Sequence, residues 1–300
     1  MAITHAYQLA AQAAKVVPAG AGLFASKRIA ELASLPMREQ RQVIERNLRR
    51  VIGPDASDAK IKRLVTETFA SYAQYYHESF RLPSLSADEV DARIRYDGIA
   101  HVEASQARGN GTILAMPHLG GWEWAGFWLT MVGGYQVSAV VEALEPPELF
   151  EWFRELRASL GINVIPLDDD AGAATIAALK DNHILVLMSD RFISGGGVEV
   201  EFFGERTWLP AGPATLALRT GADLIPAAVY FDGADHFGHG LAPLSLERQG
   251  KFRADVTRIT QELAGHLEDL IRVEPQQWHL LQPNWPSDFE ALGRRSPYPD

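Results

Sequence analysis

From residue 94 onward, short apolar runs alternate with longer stretches whose apolar positions recur at helical spacing. The runs Ile94–Asp97, Thr112–Met116, Gln136–Val141, Asn163–Pro166, Ile184–Ser189, Val198–Phe203, Leu224–Tyr230 and Leu241–Leu246 read as strands. Helical spacing covers Trp122–Val132, Pro147–Leu160, Ala171–Lys180, Gly212–Arg219 and Arg253–Ile271. Alternation of this kind predicts an α/β fold with a mostly parallel central sheet flanked by helices. No internal repeat, low-complexity tract or linker interrupts it, so residues 94–300 read as one core and residues 1–93 as an N-terminal helical appendage to the same domain.

The appendage shows a different pattern. Residues 5–35 are rich in Ala, Leu, Val and Phe, with Lys27, Arg28 and Glu31 among them, and predict two short amphipathic helices split near Pro18–Gly22. Such helices either lie on a membrane interface or pack on the body, and the pattern does not choose. Arg38–Ile52 reads as a basic helix stopped by Gly53-Pro54. In Ser57–Phe80 the residues Ile61, Leu64, Val65, Phe69, Tyr72 and Tyr76 fall on one helical face, which makes the pair a lid or flank on the sheet.

Charge changes the picture at one point. The 300 residues carry a net charge of −10, yet residues 1–63 hold 11 Lys and Arg against 5 Asp and Glu. A basic stretch on an acidic chain suits an anionic membrane surface, and with no base-reading motif it does not suggest nucleic acid. The absence of cysteine excludes a disulfide framework, a thiol nucleophile and a cysteine-ligated zinc site. The stretch Met1–Leu23 is interrupted by Gln8, Gln12, Lys15 and Pro18 and does not read as a secretory signal. No run reaches the about 20 apolar residues of a membrane span. These features fit a soluble or peripheral protein in a cytosolic setting.

The candidate chemistry lies at strand ends, where ligands bind in open α/β sheets. Pro117-His118-Leu-Gly-Gly-Trp122-Glu123 follows a buried strand and delivers an imidazole with a carboxylate five residues later. A neutral imidazole can accept a proton from an attacking hydroxyl while a carboxylate on its other nitrogen fixes the tautomer. Glu142 ends the next strand, and Arg157 on the following helix is placed to fold back and pair with it. A third segment runs from Ser189-Asp190-Arg191 through Gly195-Gly196-Gly197 to Val198-Glu199-Val200-Glu201-Phe202, where Glu199 and Glu201 share one strand face. At Pro210–Ala214 a helix begins with small residues and free N–H groups. His236 and His239 have loose metal-ligand spacing but no third ligand, so no metal site is expected. No Gly-x-Ser-x-Gly elbow is present, leaving no evident protein nucleophile for an acyl-enzyme.

His118 to Glu123 resembles the His-x4-Asp/Glu signature of glycerolipid-type acyltransferases. Met116 to Glu123, Ser189-Asp190-Arg191, Val198–Gly204 and Pro210–Ala214 resemble its lipid A late acyltransferase branch. Within that branch, Asn47–Gly53, Phe80–Pro83, Ala217–Ala222 and Trp278–Pro286 resemble the phosphatidylinositol mannoside acyltransferases of actinobacteria. The resemblance spans nearly the whole chain, with Glu123 standing where that subfamily more usually has Asp. It implies transfer of a long acyl chain from acyl-CoA to a mannose hydroxyl, with no cofactor beyond that donor. His118 would be the base, oriented by Glu123 and by a glutamate of the Glu199 strand, Glu199 rather than Glu201 by resemblance to the subfamily although the sequence itself does not choose, with Glu142 and Arg157 beside the site. Arg191 or N–H groups near Gly212 are candidates to meet the oxyanion, and Trp122, Trp124, Phe127 and Trp128 either pack in the core, the commoner use of an aromatic helix, or line an acyl tunnel. Two alternatives stand beside this expectation: the same chemistry on a lipid A precursor or other glycolipid, and a non-catalytic lipid-binding protein at the membrane surface.

Overall fold

The computed structural model describes residues 2–143, 145–193 and 196–298; Gly195, of the expected glycine triplet, lies outside the described residues. Four helices open the chain: α1 (Ala2–Val16), α2 (Ala19–Ala33), α3 (Arg38–Ile52) and α4 (Asp58–Arg81), followed by the short α5 (Ala87–Asp91). The alternating part begins with β1 (Ile94–Asp97), α6 (Ile99–Arg108), β2 (Thr112–Met116), α7 (Trp122–Met131) and β3 (Val137–Val141). It continues with α8 (Pro147–Ser159), β4 (Ile162–Pro166), α9 (Ala171–Lys180) and β5 (Ile184–Met188). Next come β6 (Gly197–Phe202), β7 (Glu205–Pro210), α10 (Gly212–Thr220), β8 (Asp223–Asp232) and β9 (Asp235–Gly240). The chain closes with α11 (Phe252–Val273) and α12 (Pro286–Ala291).

Among the described residues, seven strands form one sheet in the order β1-β9-β8-β2-β5-β3-β4, parallel throughout except for the β8–β9 hairpin. The α/β fold with a mostly parallel sheet and an N-terminal helical region is therefore the one that forms. β2 is buried on both faces, which explains its unbroken apolar run. Ile113 and Ala115 face a core shared with α9, α10 and α11, while Leu114 and Met116 face one shared with α6 and α7. After β2 the chain crosses to β3 on one side, and after β5 it returns to β8 on the other. The carboxyl ends of β2 and β5 thus flank a topological switch point, where a crevice must open.

Two strand expectations are corrected. Val198–Phe203 does not join the main sheet: β6 pairs antiparallel with β7, a strand the apolar pattern did not reveal. The two are joined through Phe203 and Gly204, whose φ of 53° and 71° make the tight turn that suits a hairpin. Leu241–Leu246 is not a strand. The hairpin turn at Gly233 returns the chain at once, so β9 is built from Asp235–Gly240. Leu241, Leu244 and Leu246 are apolar because they pack on the core as irregular chain.

In the N-terminal region Ala11 and Ala14 of α1 pack with Phe80 of α4 and with Leu149 and Phe153 of α8. α2 also packs on α4, yet α1 leaves Leu9 and Val16 exposed and α2 leaves Phe24, Ile29 and Leu32 exposed. Both helices therefore pack on the body and present apolar side chains to solvent. Among the described residues no helix is long and apolar enough to cross a membrane.

Candidate active site

His118 leaves the end of β2 through a turn fixed by backbone crowding. Gly120 sits at φ +58°, and a Cβ there would lie 1.9 Å from Val229 O, so only glycine fits. Gly120 N–H donates to Gln277 O at 3.0 Å and Gly121 N–H to Val229 O at 3.1 Å, which stitches the turn to β8 and to the chain after α11. The imidazole, 33% exposed, is thereby held at the carboxyl end of β2.

Its partner comes from the end of the adjacent strand. Asp190, two residues beyond β5 and fully buried at 0% exposure, accepts from His118 Nδ1 at 2.6 Å through Oδ1. Its Oδ2 accepts from His118 N–H at 3.1 Å and from Trp278 Nε1 at 2.7 Å. Burial pushes the Asp190 carboxyl upward, but the positive charge available on His118 and these hydrogen bonds outweigh it and hold it below the usual carboxylate range. An ionised Asp190 can only accept, so the proton at Nδ1 belongs to the imidazole and Nε2 is left with its lone pair. Among the described residues, Nε2 has no hydrogen-bond partner.

Glu123 was expected at the histidine ring, and the structure places it elsewhere. It is buried in the first turn of α7, and its Oε1 accepts from Arg157 Nη2 at 2.6 Å, Arg157 Nε at 3.1 Å and the Tyr75 hydroxyl at 2.7 Å. It thus ties α7 to α8 and α4. Burial, followed by the adjacent Glu123, pushes the Tyr75 phenol well above its ordinary value and keeps it a donor. Burial opposes the charge on Arg157, but Glu123 outweighs it and raises its pKa. The guanidinium is packed 5.3 Å from the Trp122 ring and 5.6 Å from Phe153.

The expected Glu142–Arg157 pair is therefore not made. Glu142 instead pairs with Arg191 at 2.7 Å. The reason is topological: β3 and β5 are adjacent and parallel, so residues just beyond their carboxyl ends meet. Glu199 and Glu201 do share the solvent face of β6, with Val200 and Phe202 turned into the core. Glu199 pairs with Arg206 on β7, its side chain 48% exposed, and makes no hydrogen bond to His118. Facing solvent on a separate hairpin, it is not brought to the imidazole. At the start of α10, Pro213 and Ala214 are buried and Ala211 N–H is taken up by Gly196 O at 3.0 Å. His236 and His239, three apart on a strand, point to opposite faces and pair with Glu78 and Asp97 respectively. Among the described residues no cluster of three or more His, Asp or Glu could hold a metal ion.

An apolar cavity of about 80 Å³ lies on the α6 and α7 side of the sheet, lined by Leu114, Met116, Trp122, Trp128, Val186 and Val229 among others. Trp122 and Trp128 line it. Trp124 and Phe127 do not: Trp124 stacks on His236 at 4.3 Å and donates to Val90 O, and Phe127 is core.

Sequence reasoning assigned no site role to Asp190, Tyr75, Trp278, His279 or Asn284, although Asp190 stood in a candidate strand-end segment and Trp278, His279 and Asn284 in a motif that carries the resemblance. His279 N–H donates to His118 O at 2.7 Å, and its buried ring meets Ser71 Oγ at 2.8 Å. Burial first, then the charge on His118, pushes the His279 imidazole down to about 3, against an opposing pull from Asp190.

With this geometry in place, comparison with known proteins is informative. The family model for bacterial lipid A biosynthesis acyltransferase matches residues 1–287. The phosphatidylinositol mannoside acyltransferase of Mycolicibacterium smegmatis is 39% identical over 249 residues, 82% of this chain and 80% of its own length. Proteins of the same name from two strains of Mycobacterium tuberculosis are 37% identical over 258 residues, 84% of this chain and 79% of theirs. A strand-end His–carboxylate dyad whose aspartate is buried accords with this match across the chain, which belongs to the bacterial lipid A biosynthesis acyltransferase family.

Proposed function

We propose that this acyltransferase moves a long acyl chain from acyl-CoA to a mannose hydroxyl of a phosphatidylinositol mannoside, with His118 as the base. The observation that carries this reading is the His118–Asp190 pair, which leaves Nε2 unbonded at the crevice. Nε2 takes the proton of the acceptor hydroxyl as its oxygen attacks the thioester carbonyl. The tetrahedral intermediate then collapses, the C–S bond breaks, and the imidazolium returns the proton to the departing thiolate. Asp190 stabilises the imidazolium, the part expected of Glu123 and Glu199. Arg191 is the donor assigned to the oxyanion, and Glu142, its ion-pair partner, holds it there. The acyl chain enters past Trp122, where the apolar cavity of about 80 Å³ has to widen to take it, and Glu123 with Arg157 fixes the wall that carries this ring.

The acceptor follows from the relatives, whose names give a phosphatidylinositol mannoside. The exposed apolar residues of α1 and α2, next to Lys27 and Arg28, support a peripheral seat on the anionic cytoplasmic face of the membrane. Because the family description names lipid A, a lipid A precursor is the second acceptor to test. Radiolabelled palmitoyl-CoA with a panel of mannolipids and lipid A precursors separates the two. Label in the mannolipid that His118→Ala abolishes is expected. Label only in the lipid A precursor would overturn the acceptor, and full transfer by His118→Ala would overturn the base. No turnover of any acceptor by the wild-type chain would favour the non-catalytic lipid-binding alternative.

A further inference from the structure

The carboxylate that partners His118 is itself gripped from behind. Trp278 Nε1–H donates to Asp190 Oδ2 at 2.7 Å and His118 N–H reaches the same oxygen at 3.1 Å, so Oδ1 alone is left for the imidazole. The segment that brings Trp278 there is pinned on both sides of the dyad. His279 N–H donates to His118 O at 2.7 Å, Leu119 and Trp278 form an antiparallel bridge, and Asn284 Nδ2 donates to Asp190 O at 3.0 Å. Farther along, the buried Asp288 of α12 is held by Arg46 and Arg50 of α3, each at 2.7 Å. The indole is buried against Phe203 and Phe202 at ring distances of 5.7 and 6.2 Å.

We propose that Trp278 is a positioning residue for acyl transfer: its indole N–H occupies Asp190 Oδ2, so the carboxylate presents Oδ1 to the ring and holds His118 as the Nδ1–H tautomer with Nε2 at the acceptor hydroxyl. The inference rests on the reading that His118 is the base. The carboxyl torsion of Asp is broad and nearly two-fold, so an Asp190 whose Oδ2 keeps only the longer bond from His118 N–H, at 3.1 Å, can rotate and offer the imidazole poor angles. An indole donates and never accepts, which makes it compatible only with an acceptor oxygen at that edge. The same bond draws electron density from the carboxylate. Without it Asp190 becomes a stronger acceptor for the imidazolium proton, and the dyad gives up that proton at higher pH.

Trp278→Phe keeps an aromatic ring in the pocket and removes the donor. Where that variant does not fold, Trp278→benzothienylalanine replaces the N–H by sulfur at nearly the same shape. The expected result is a kcat lower by about tenfold with KM for acyl donor and acceptor nearly unchanged, and an acid limb of kcat/KM displaced upward by about half a pH unit. Phe203→Leu changes the packing on the same indole but leaves its N–H, and its acid limb should match wild type. In ¹⁵N-histidine-labelled protein, the His118 Nδ1–H resonance should shift and exchange faster with solvent in the Trp278 variants, a readout that needs no substrate. An unchanged resonance would overturn the proposal, as would an acid limb that Phe203→Leu moves as far as Trp278→Phe. If wild type transfers no acyl group to any acceptor, the functional reading fails, and the resonance alone then decides whether Trp278 sets the tautomer.

Discussion

Replacing Asp190 by asparagine is the sharpest perturbation of the proposed base. The change is nearly isosteric, and the neighbours dictate how the amide must sit. Trp278 Nε1 and His118 N–H both need an acceptor at the Oδ2 position, so the amide oxygen stays there and the NH₂ takes the place of Oδ1, 2.6 Å from His118 Nδ1. Two donors cannot face each other, so the imidazole must move its proton to Nε2, the atom that has to accept one from the acceptor. Inverting the tautomer in this way costs a Ser-His-Asp enzyme about 10⁴ in kcat, equivalent to about 5.5 kcal/mol. A fall of about 10³–10⁴ is expected here, with KM little changed. The folded-state pKa of Asp190 is depressed, so wild type draws stability from it above the unfolded carboxyl pKa and loses that stability as pH falls through the folded value. Urea titrations should therefore show the variant less stable than wild type at pH 7 and the two converging in strong acid. Transfer of labelled acyl groups, measured beside Glu199→Gln, decides the matter. Glu199→Gln alters an exposed ion pair and should keep kcat within about threefold of wild type. An Asp190→Asn enzyme with more than a tenth of wild-type kcat would refute the argument that Asp190 sets the tautomer, and a collapse in Glu199→Gln would return that part to Glu199.

Three further outcomes follow from the same geometry. Glu123→Ala leaves the Arg157 guanidinium buried without its carboxylate and should destabilise the protein by about 3–5 kcal/mol in urea, with the double variant Glu123→Ala/Arg157→Ala losing less than the sum of the single changes; additive losses would show that the pair is not a unit. Because His279 is held neutral, with its pKa pushed down to about 3, the unfolded chain binds the extra proton between there and its ordinary value, so stability falls as pH is lowered through that window, by at most about 1.4 kcal/mol per pH unit. His279→Gln should flatten that slope, and an unchanged slope would refute the assignment. Phe24→Ser, Ile29→Ser and Leu32→Ser together remove exposed apolar surface at a cost to stability of about 0.5 kcal/mol or less each, yet should cut flotation with anionic vesicles several-fold; equal flotation would remove α2 from the membrane contact.

What could be read before the structure, and what could not, divides along physical lines. β2 and β5 announced themselves because burial on both faces forces a continuous apolar run. β9 did not, because Asp-His-Phe-Gly-His-Gly draws its place in the sheet from a hairpin with β8 rather than from its own apolar side chains. β7 was hidden by a turn that puts a phenylalanine at positive φ, a position the usual turn signals assign to Asn or Gly. At the site, the histidine was legible because a local turn delivers it. Its carboxylate was not, because Asp190 lies 72 residues away and Trp278 another 88 beyond, and only the strand order brings them together.

The same logic explains why the two acidic groups near His118 divide their roles. A residue five beyond the histidine is carried past the turn and into the first turn of α7, where a carboxylate is favoured by the helix N-terminus but has its direction set by the helix axis. That direction leads to Arg157 on α8 and Tyr75 on α4, not back to the imidazole. A carboxylate just beyond β5 meets no such constraint: β5 is the parallel neighbour of β2, with Met116 in register with Met188, so a residue two positions past the strand end faces the residue two positions past its partner. Residue 118 and residue 190 occupy those two positions. The strand register therefore places His118 against Asp190, while the helix that follows turns Glu123 to binding three helices together around the crevice.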